Sequence, residues 1–223
     1  MNFPADSIAP ADAGHVPVQR AAPPSRPTAR RWIPIRSLAE RHRPRILAHL
    51  LALPPQDRYL RFGYAASDAQ IARYADLIDF THDEVFGVFN RRLELIAQAH
   101  LAGLANASEA EFGVSVLPKA RGRGYGARLF DHAVLHARNR GIDTLLIHAL
   151  TQNTPMLRIA RSAGASVQSE GGEALARLRL PPDTLRSHLD AFLESSAAEV
   201  DYRLKSQGKL ANTASDSTHP SHD

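Results

Sequence analysis

The sequence predicts an α/β (α+β) fold: a mixed, mostly antiparallel central sheet of about six to seven strands, flanked by helices. Three observations carry this. Short β-branched and aromatic runs alternate with segments whose apolar residues recur at helical spacing. Three strand runs, 84–90, 93–104 and 109–117, follow one another with no helix between them, and the first two meet at Asn90, Arg91 and Arg92, a hairpin turn. Finally, "VSVLPKARGRGYGARLF" (114–130) joins a strand to a helix with Gly122, Gly124 and Gly126 inside five positions. Glycine costs backbone entropy, so such a junction calls for positive φ or for close approach to bare backbone.

Taken in order, residues 1–31 are rich in Pro, Ala and Arg, lack periodicity and read as a disordered tail. The folded domain spans 32–180. It opens with "WIPIRSL" as a short strand. Ser37 and Glu40 form a capping box for a helix that buries Leu38, Ile46, Leu50 and Leu53 and is stopped by Pro54 and Pro55. "QDRYLRF" and "DAQIARYADLI" continue as helix, followed by the three strands. A helix from Gly124 to Arg140 places Phe130, Ala133, Val134 and Ala137 at core spacing, with Gly141 as its left-handed stop. "TLLIHAL" is a strand, "TPMLRIARSAG" a helix and "EALARLRL" a late strand. Residues 181–205 form a C-terminal amphipathic helix (Leu185, Leu189, Phe192, Leu193, Val200), a core face or the interface of a homodimer, and 206–223 a polar disordered tail.

Composition narrows the function. In 223 residues, 27 basic side chains face 23 acidic ones for a net +4, and only Lys119, Lys205 and Lys209 are lysines. Eight arginines lie between Arg20 and Arg45 with one acid, Glu40. This segment is read as a solvated basic tail running into a helix face rather than as a nucleic-acid site, whose signature would be steep salt dependence. The absence of cysteine excludes disulfides, thiolate metal ligands and thiol catalysis, and no metal is expected. No apolar run has the length of a membrane span, and the N-terminus has no apolar signal-peptide centre, so no membrane partner and a cytoplasmic location are expected.

Three phosphate motifs compete for "ARGRGYGARLF". A Walker loop requires a closing Gly-Lys-Ser/Thr, which is missing. A dinucleotide fingerprint belongs in the first βα turn, with an acid closing the next strand; here about three strands precede the turn and Asp143 opens the following one. The third pattern is Arg or Gln, two residues, Gly, one residue, then Gly or Ala. Arg121, Gly124 and Gly126 fit it, and successive N–H groups of residues 122–126 at a helix N-terminus suit a pyrophosphate. With "VLP" before it, this stretch resembles the coenzyme A loop of the GNAT acetyltransferase superfamily. "AEFGVSV", "QNTPMLRIARSAGASV", "LPPQDRYLRF" and "DFTHDEVFGV" resemble segments of its Pat-type bacterial protein-lysine acetyltransferases, over roughly residues 33–180.

The resemblance implies a GNAT fold splayed at the cofactor strand, and an enzyme that uses acetyl-CoA to acetylate a primary amine in one ternary complex. An amine nucleophile must be neutral, whereas a lysine ammonium has a pKa of ~10.4, so a base is needed. The resemblance implies Glu111, and Glu109, on the same strand face two residues earlier, is the substitute. It further implies Val114, Val116 and Leu117 along the pantetheine, a backbone N–H near Val116 for the developing oxyanion, Arg121, Gly122, Arg123, Gly124, Tyr125 and Gly126 at the pyrophosphate, and Asn153 on coenzyme A or as a helix cap. Two positions depart from the superfamily: Ala160 stands where many members carry a thiolate-protonating tyrosine, and Ala165 where phenylalanine is usual. A thiol pKa near ~8.5 makes the thiolate a tolerable leaving group without such an acid. His100 and His148 are strand histidines or proton carriers. The acceptor is a protein lysine or a small-molecule amine, and the alternative of another class is a non-catalytic acyl-CoA-binding module.

Overall fold

Strand alternation divides the core. The structure is a computed structural model that describes residues 33–181. In β2 (Glu84–Phe89), Phe86 and Val88 enter one apolar cluster while Val85 and Phe89 enter another. Because successive side chains of a strand point to opposite faces, the central sheet is buried on both. The elements run β1 (Arg36–Leu38), α1 (Arg43–Leu51), α2 (Pro55–Phe62), α3 (Asp68–Asp76), β2, β3 (Leu95–Gly103), β4 (Glu109–Val116), α4 (Tyr125–Asn139), β5 (Thr144–Leu150), α5 (Thr154–Ser162), β6 (Ser166–Glu170) and β7 (Glu173–Arg179). They form a seven-stranded sheet in the order β1-β2-β3-β4-β5-β7-β6. Every neighbouring pair is antiparallel except β4 and β5. The predicted tails and C-terminal helix lie outside the described residues, apart from residue 181.

The hairpin, the long helix and its stop form as expected. Asn90 Oδ1 accepts from the N–H groups of Arg92 and Glu94 at 2.9 and 3.0 Å, closing the β2–β3 turn. α4 buries Leu129, Phe130, His132, Ala133 and Ala137, and Gly141 follows with φ 74°.

Three expectations are corrected. Ser37 does not cap a helix: it is paired with Phe86 in β1, Leu38 lies in that strand too, and the Ala39 N–H is satisfied by His42 Nδ1 at 3.0 Å. Pro55 does not only stop a helix; it occupies the first turn of α2, where a missing N–H costs nothing. Strand β6 was not anticipated. It pairs with β7 across a Gly171–Gly172 turn.

His49 on α1 ties the two layers together. It is 2 % exposed, its Nδ1–H donates to Leu95 O at 2.9 Å, and its Nε2 accepts from the Ser115 hydroxyl at 2.8 Å. Burial is the main cause that lowers its pKa from 6.5 to about 4. Between those two values the unfolded imidazole is protonated and the folded one is not, so the unfolded state binds more protons and the fold weakens as pH falls through that window. Above the upper value the effect vanishes. Urea titrations of the protein and its His49→Gln variant are expected to differ in pH slope over this range by about 3 kcal/mol in total.

Candidate active site

The parallel pair at the centre of the sheet is short. β4 and β5 pair only through Glu109↔Thr144, Ala110↔Leu145 and Glu111↔Leu146. Beyond Glu111 each strand stays with its outer neighbour, β4 with β3 as far as Val116 and β5 with β7 as far as Leu150. The two inner edges therefore diverge, leaving a wedge whose sides are unpaired strand backbone. α2 approaches the wedge on one face and α5 on the other.

A cleft of about 510 Å³ fills the wedge on the side of the glycine-rich loop. Val114, Val116, Arg121, Gly122, Gly124, Tyr125, Gly126 and Asn153 all line it. Gly122 and Gly124 adopt φ 73° and 75°, and a Cβ on either would meet no atom within 4 Å. Backbone conformation, not crowding, thus requires glycine at both. The left-handed Gly124 aims the chain into α4, whose first intrahelical bond runs from Arg128 N–H to Gly124 O at 3.1 Å. The N–H groups of Tyr125, Gly126 and Ala127 have no intrahelical acceptor and form the positive end of the helix. Gly126 lies between Val116 and Ile159, whose side chains would be 4.0 and 3.4 Å from an added Cβ.

Two of the expected residues do not reach this cleft. Leu117 donates its N–H to Ile96 O at 3.0 Å and buries its side chain in the core beside α1. Arg123 is exposed and lines neither cleft. Asn153 caps α5, accepting from Met156 N–H at 3.3 Å, and also donates to Leu60 O on α2 at 3.2 Å, so it laces the two walls together.

Arg121 forms an ion pair with Asp57 of α2, and its Nε lies 3.3 Å from Val116 O. The Asp57 side chain is 13 % exposed and lines the same cleft. A carboxylate at this position competes with any anion for Arg121. Asp57→Asn is expected to tighten binding of a diphosphate-bearing ligand in this cleft three- to ten-fold at low salt, measured by calorimetry, with the gain shrinking as salt rises.

A second cleft of about 800 Å³ shares Leu60, Arg61, Val114, Asn153 and Met156 with the first. Glu111, Tyr64, Tyr74 and the exposed His148 line it, as do Glu170 and Glu173 from the β6–β7 hairpin. Glu111 is the last paired residue before the strands part, is half-buried and makes no ion pair among the described residues. Glu109 lines neither cleft, so the two carboxylates are not equivalent. Ala160 is fully buried in the core under the sheet, and Ala165 packs against the same cluster.

Sequence reasoning missed a hydrogen-bonded chain on the wall of this second cleft. Arg61 Nη2–H donates to the Tyr74 hydroxyl at 2.8 Å, that hydroxyl lies 2.6 Å from His100 Nδ1, and His100 Nε2 lies 2.9 Å from Asp83 Oδ2. The Arg61 guanidinium stacks at 5.2 and 5.4 Å from the Phe62 and Tyr74 ring centres. It rests on Gly113, where a Cβ would come within 2.6 Å of it. Since a flexible guanidinium is what would move, Gly113→Ala is expected to leave stability within about 1 kcal/mol while breaking the Arg61–Tyr74 contact, visible as altered Tyr74 ring resonances.

A model of the acetyltransferase (GNAT) family matches residues 46–165. Among solved structures, the GNAT domain of PAT from S. lividans is similar over 66 % of this chain and 89 % of its own, with 23 % identity and a TM-score of 0.56. The protein yncA from Salmonella typhimurium, solved with its cofactor acetyl-CoA, matches over 68 % of this chain and 96 % of its own at 15 % identity and TM-score 0.53. An N-acetyltransferase from Staphylococcus aureus Mu50 matches over 66 % and 98 % at 14 % identity and TM-score 0.51. At these identities the likeness is one of fold.

Proposed function

Because the chain belongs to the acetyltransferase (GNAT) family, we propose that its two clefts receive acetyl-CoA and a primary amine and transfer the acetyl group between them. The observation that carries this is the parting of β4 and β5 immediately after Glu111: two clefts meet there, one beginning at bare helix N–H groups and the other containing a carboxylate. The first cleft fits coenzyme A in its chemistry. A diphosphate would accept hydrogen bonds from residues 122–126 with Arg121 alongside, at a helix terminus that attracts anions. The pantetheine amides would pair with the free edge of β4 at Val114 and Val116 as an added strand. Asn153 stands where the two walls meet.

In the second cleft, Glu111 takes a proton from the acceptor ammonium. The neutral nitrogen attacks the thioester carbonyl carbon, a main-chain N–H on the open edge of β4 stabilises the oxygen as it gains charge, and the C–S bond breaks to release coenzyme A. No side chain need protonate the sulfur, which accounts for Ala160 serving the core instead. The favoured acceptor is a protein lysine, supported by the resemblance to the Pat-type enzymes.

The test is thiol release from acetyl-CoA against lysine peptides, polyamines, amino acids and aminoglycosides. Turnover with peptides alone supports the protein acceptor, and turnover with small amines alone replaces it. Binding of acetyl-CoA without thiol release from any amine makes the protein a binding module.

A further inference from the structure

Amine acetylation strips two protons from the nitrogen: one when the ammonium becomes an amine, a second after the C–N bond forms. A single carboxylate holds one proton at a time. If Glu111 accepts the first, it must be emptied before the second arrives, and the wall beside it contains a chain of groups suited to that task.

Tyr74 lines the same cleft as Glu111. Burial raises the Tyr74 pKa, Arg61 opposes the rise, and Asp83 and Glu111 add to it. The phenol oxygen has two lone pairs and one hydrogen. One lone pair accepts from Arg61, and the hydrogen points along the 2.6 Å contact to His100 Nδ1. His100 is 8 % exposed, and its other nitrogen meets the Asp83 carboxylate, which also accepts from Gly103 N–H at 3.1 Å. An Nε2–H donating to Asp83 leaves Nδ1 as the acceptor for Tyr74, so an ordered carboxylate fixes the tautomer of an imidazole that in turn holds a hydroxyl. Asp83 closes the exposed turn that contains Asp79 and His82, with Asp79 N–H 3.3 Å from its Oδ2. The chain thus runs from the cleft to the protein surface through α3, β3 and the turn that precedes β2.

We propose that Tyr74, His100 and Asp83 form a proton exit from the acceptor cleft, clearing Glu111 between the two deprotonations. This rests on the acetyl-transfer reading above. The proton leaving Glu111 crosses the shared cleft through solvent to the free lone pair of Tyr74 Oη as the phenol's own proton passes to His100 Nδ1. The imidazolium, paired with Asp83, then gives up its Nε2 proton toward the surface turn. Glu111 takes the second proton when the tetrahedral nitrogen sheds it, the thiolate takes up one proton, and each turnover of an ammonium releases one proton to solvent. Tyr74 contacts the cleft; His100 and Asp83 act through it as positioning residues.

The proton count supplies the test. An alkylamine enters as the ammonium and loses two protons, whereas hydroxylamine, neutral at the assay pH of about 8, loses one and needs only Glu111. Tyr74→Phe, His100→Gln and Asp83→Asn are each expected to lower kcat for an alkylamine by on the order of 10- to 100-fold, with the KM for acetyl-CoA unchanged and hydroxylamine turnover within about two-fold. The Tyr74→Phe/His100→Gln double variant should be no slower than the worse single one, because the residues act as a unit. Equal losses with both nucleophiles, or none with the alkylamine, overturn the exit. Absence of thiol release from the unsubstituted protein with either nucleophile overturns the acetyl-transfer reading itself. Independently of turnover, the ¹⁵N shifts of His100 should report the Nε2–H tautomer and change in Tyr74→Phe; an Nδ1–H tautomer overturns the chain.

Discussion

Gly126→Val is expected to raise the Kd for coenzyme A at least 100-fold, about 2.7 kcal/mol, while leaving stability within about 1 kcal/mol. Gly126 is the second residue of α4 and its φ is not in the left-handed region, so the backbone does not demand glycine there. Neither does the packing around a Cβ, since the nearest atoms to one built there, on Ile159 and Val116, stand at 3.4 and 4.0 Å, ordinary contact distances. In a helix glycine is the poorest residue after proline, and valine regains roughly 0.5 kcal/mol. What glycine preserves is therefore room in the cleft, and the two γ-methyls of valine would occupy the space through which a diphosphate approaches the first N–H groups of α4. Gly124→Val separates this steric effect from backbone strain: it places a β-branched residue at φ 75° and should cost at least about 1–2 kcal/mol of stability. Calorimetry with coenzyme A, paired with thermal unfolding, reads both variants. An unchanged affinity in Gly126→Val would show that the anion sits elsewhere.

How much of this was legible in the sequence depends on how local each signal is. The glycine-rich junction could be read because its demands are met within six residues: two left-handed positions and a helix start depend on little beyond the loop itself. α4 was legible from periodicity, since its apolar face covers one side of the sheet. β6 was not, because as the outermost strand it leaves most of its side chains to solvent and has no apolar alternation to betray it. Its one cue was the Gly171–Gly172 pair at the hairpin tip. The Ser37 capping box failed for the converse reason: a valid local pattern lost to a tertiary one, the pairing of β1 with β2. Leu117 looked like the continuation of β4, yet its N–H is already spent on β3. Arg61, Tyr74, Asp83 and His100 come from α2, α3, a turn and β3, and only the closing of the sheet brings them together. In the sequence Tyr74 reads as one more residue of an amphipathic helix.

Glu111→Gln is expected to lower kcat with an alkylamine by about 10²- to 10⁴-fold, with coenzyme A affinity unchanged. The amide is nearly isosteric, and Glu111 sits on β4 with its backbone paired to Leu146 and Ala102, so the strand should be unaffected. Coenzyme A would occupy the neighbouring cleft, whose lining does not include Glu111, which is why binding should be spared. What the substitution removes is the one carboxylate of β4 that lines the second cleft and, in the proposed mechanism, the means of producing a neutral amine from an ammonium of pKa ~10.4 at neutral pH. Raising the assay pH supplies neutral amine from solution, so the deficit should narrow as pH climbs toward the pKa of the acceptor. A damaged cleft would not recover in this way. Glu109→Gln, which alters a carboxylate outside both clefts, is the matched control and should retain kcat within about two-fold. Equal turnover in the Glu111 variant and the unsubstituted protein, measured with saturating acetyl-CoA, would assign the first deprotonation to another group. The Tyr74 hydroxyl would then be the next to test.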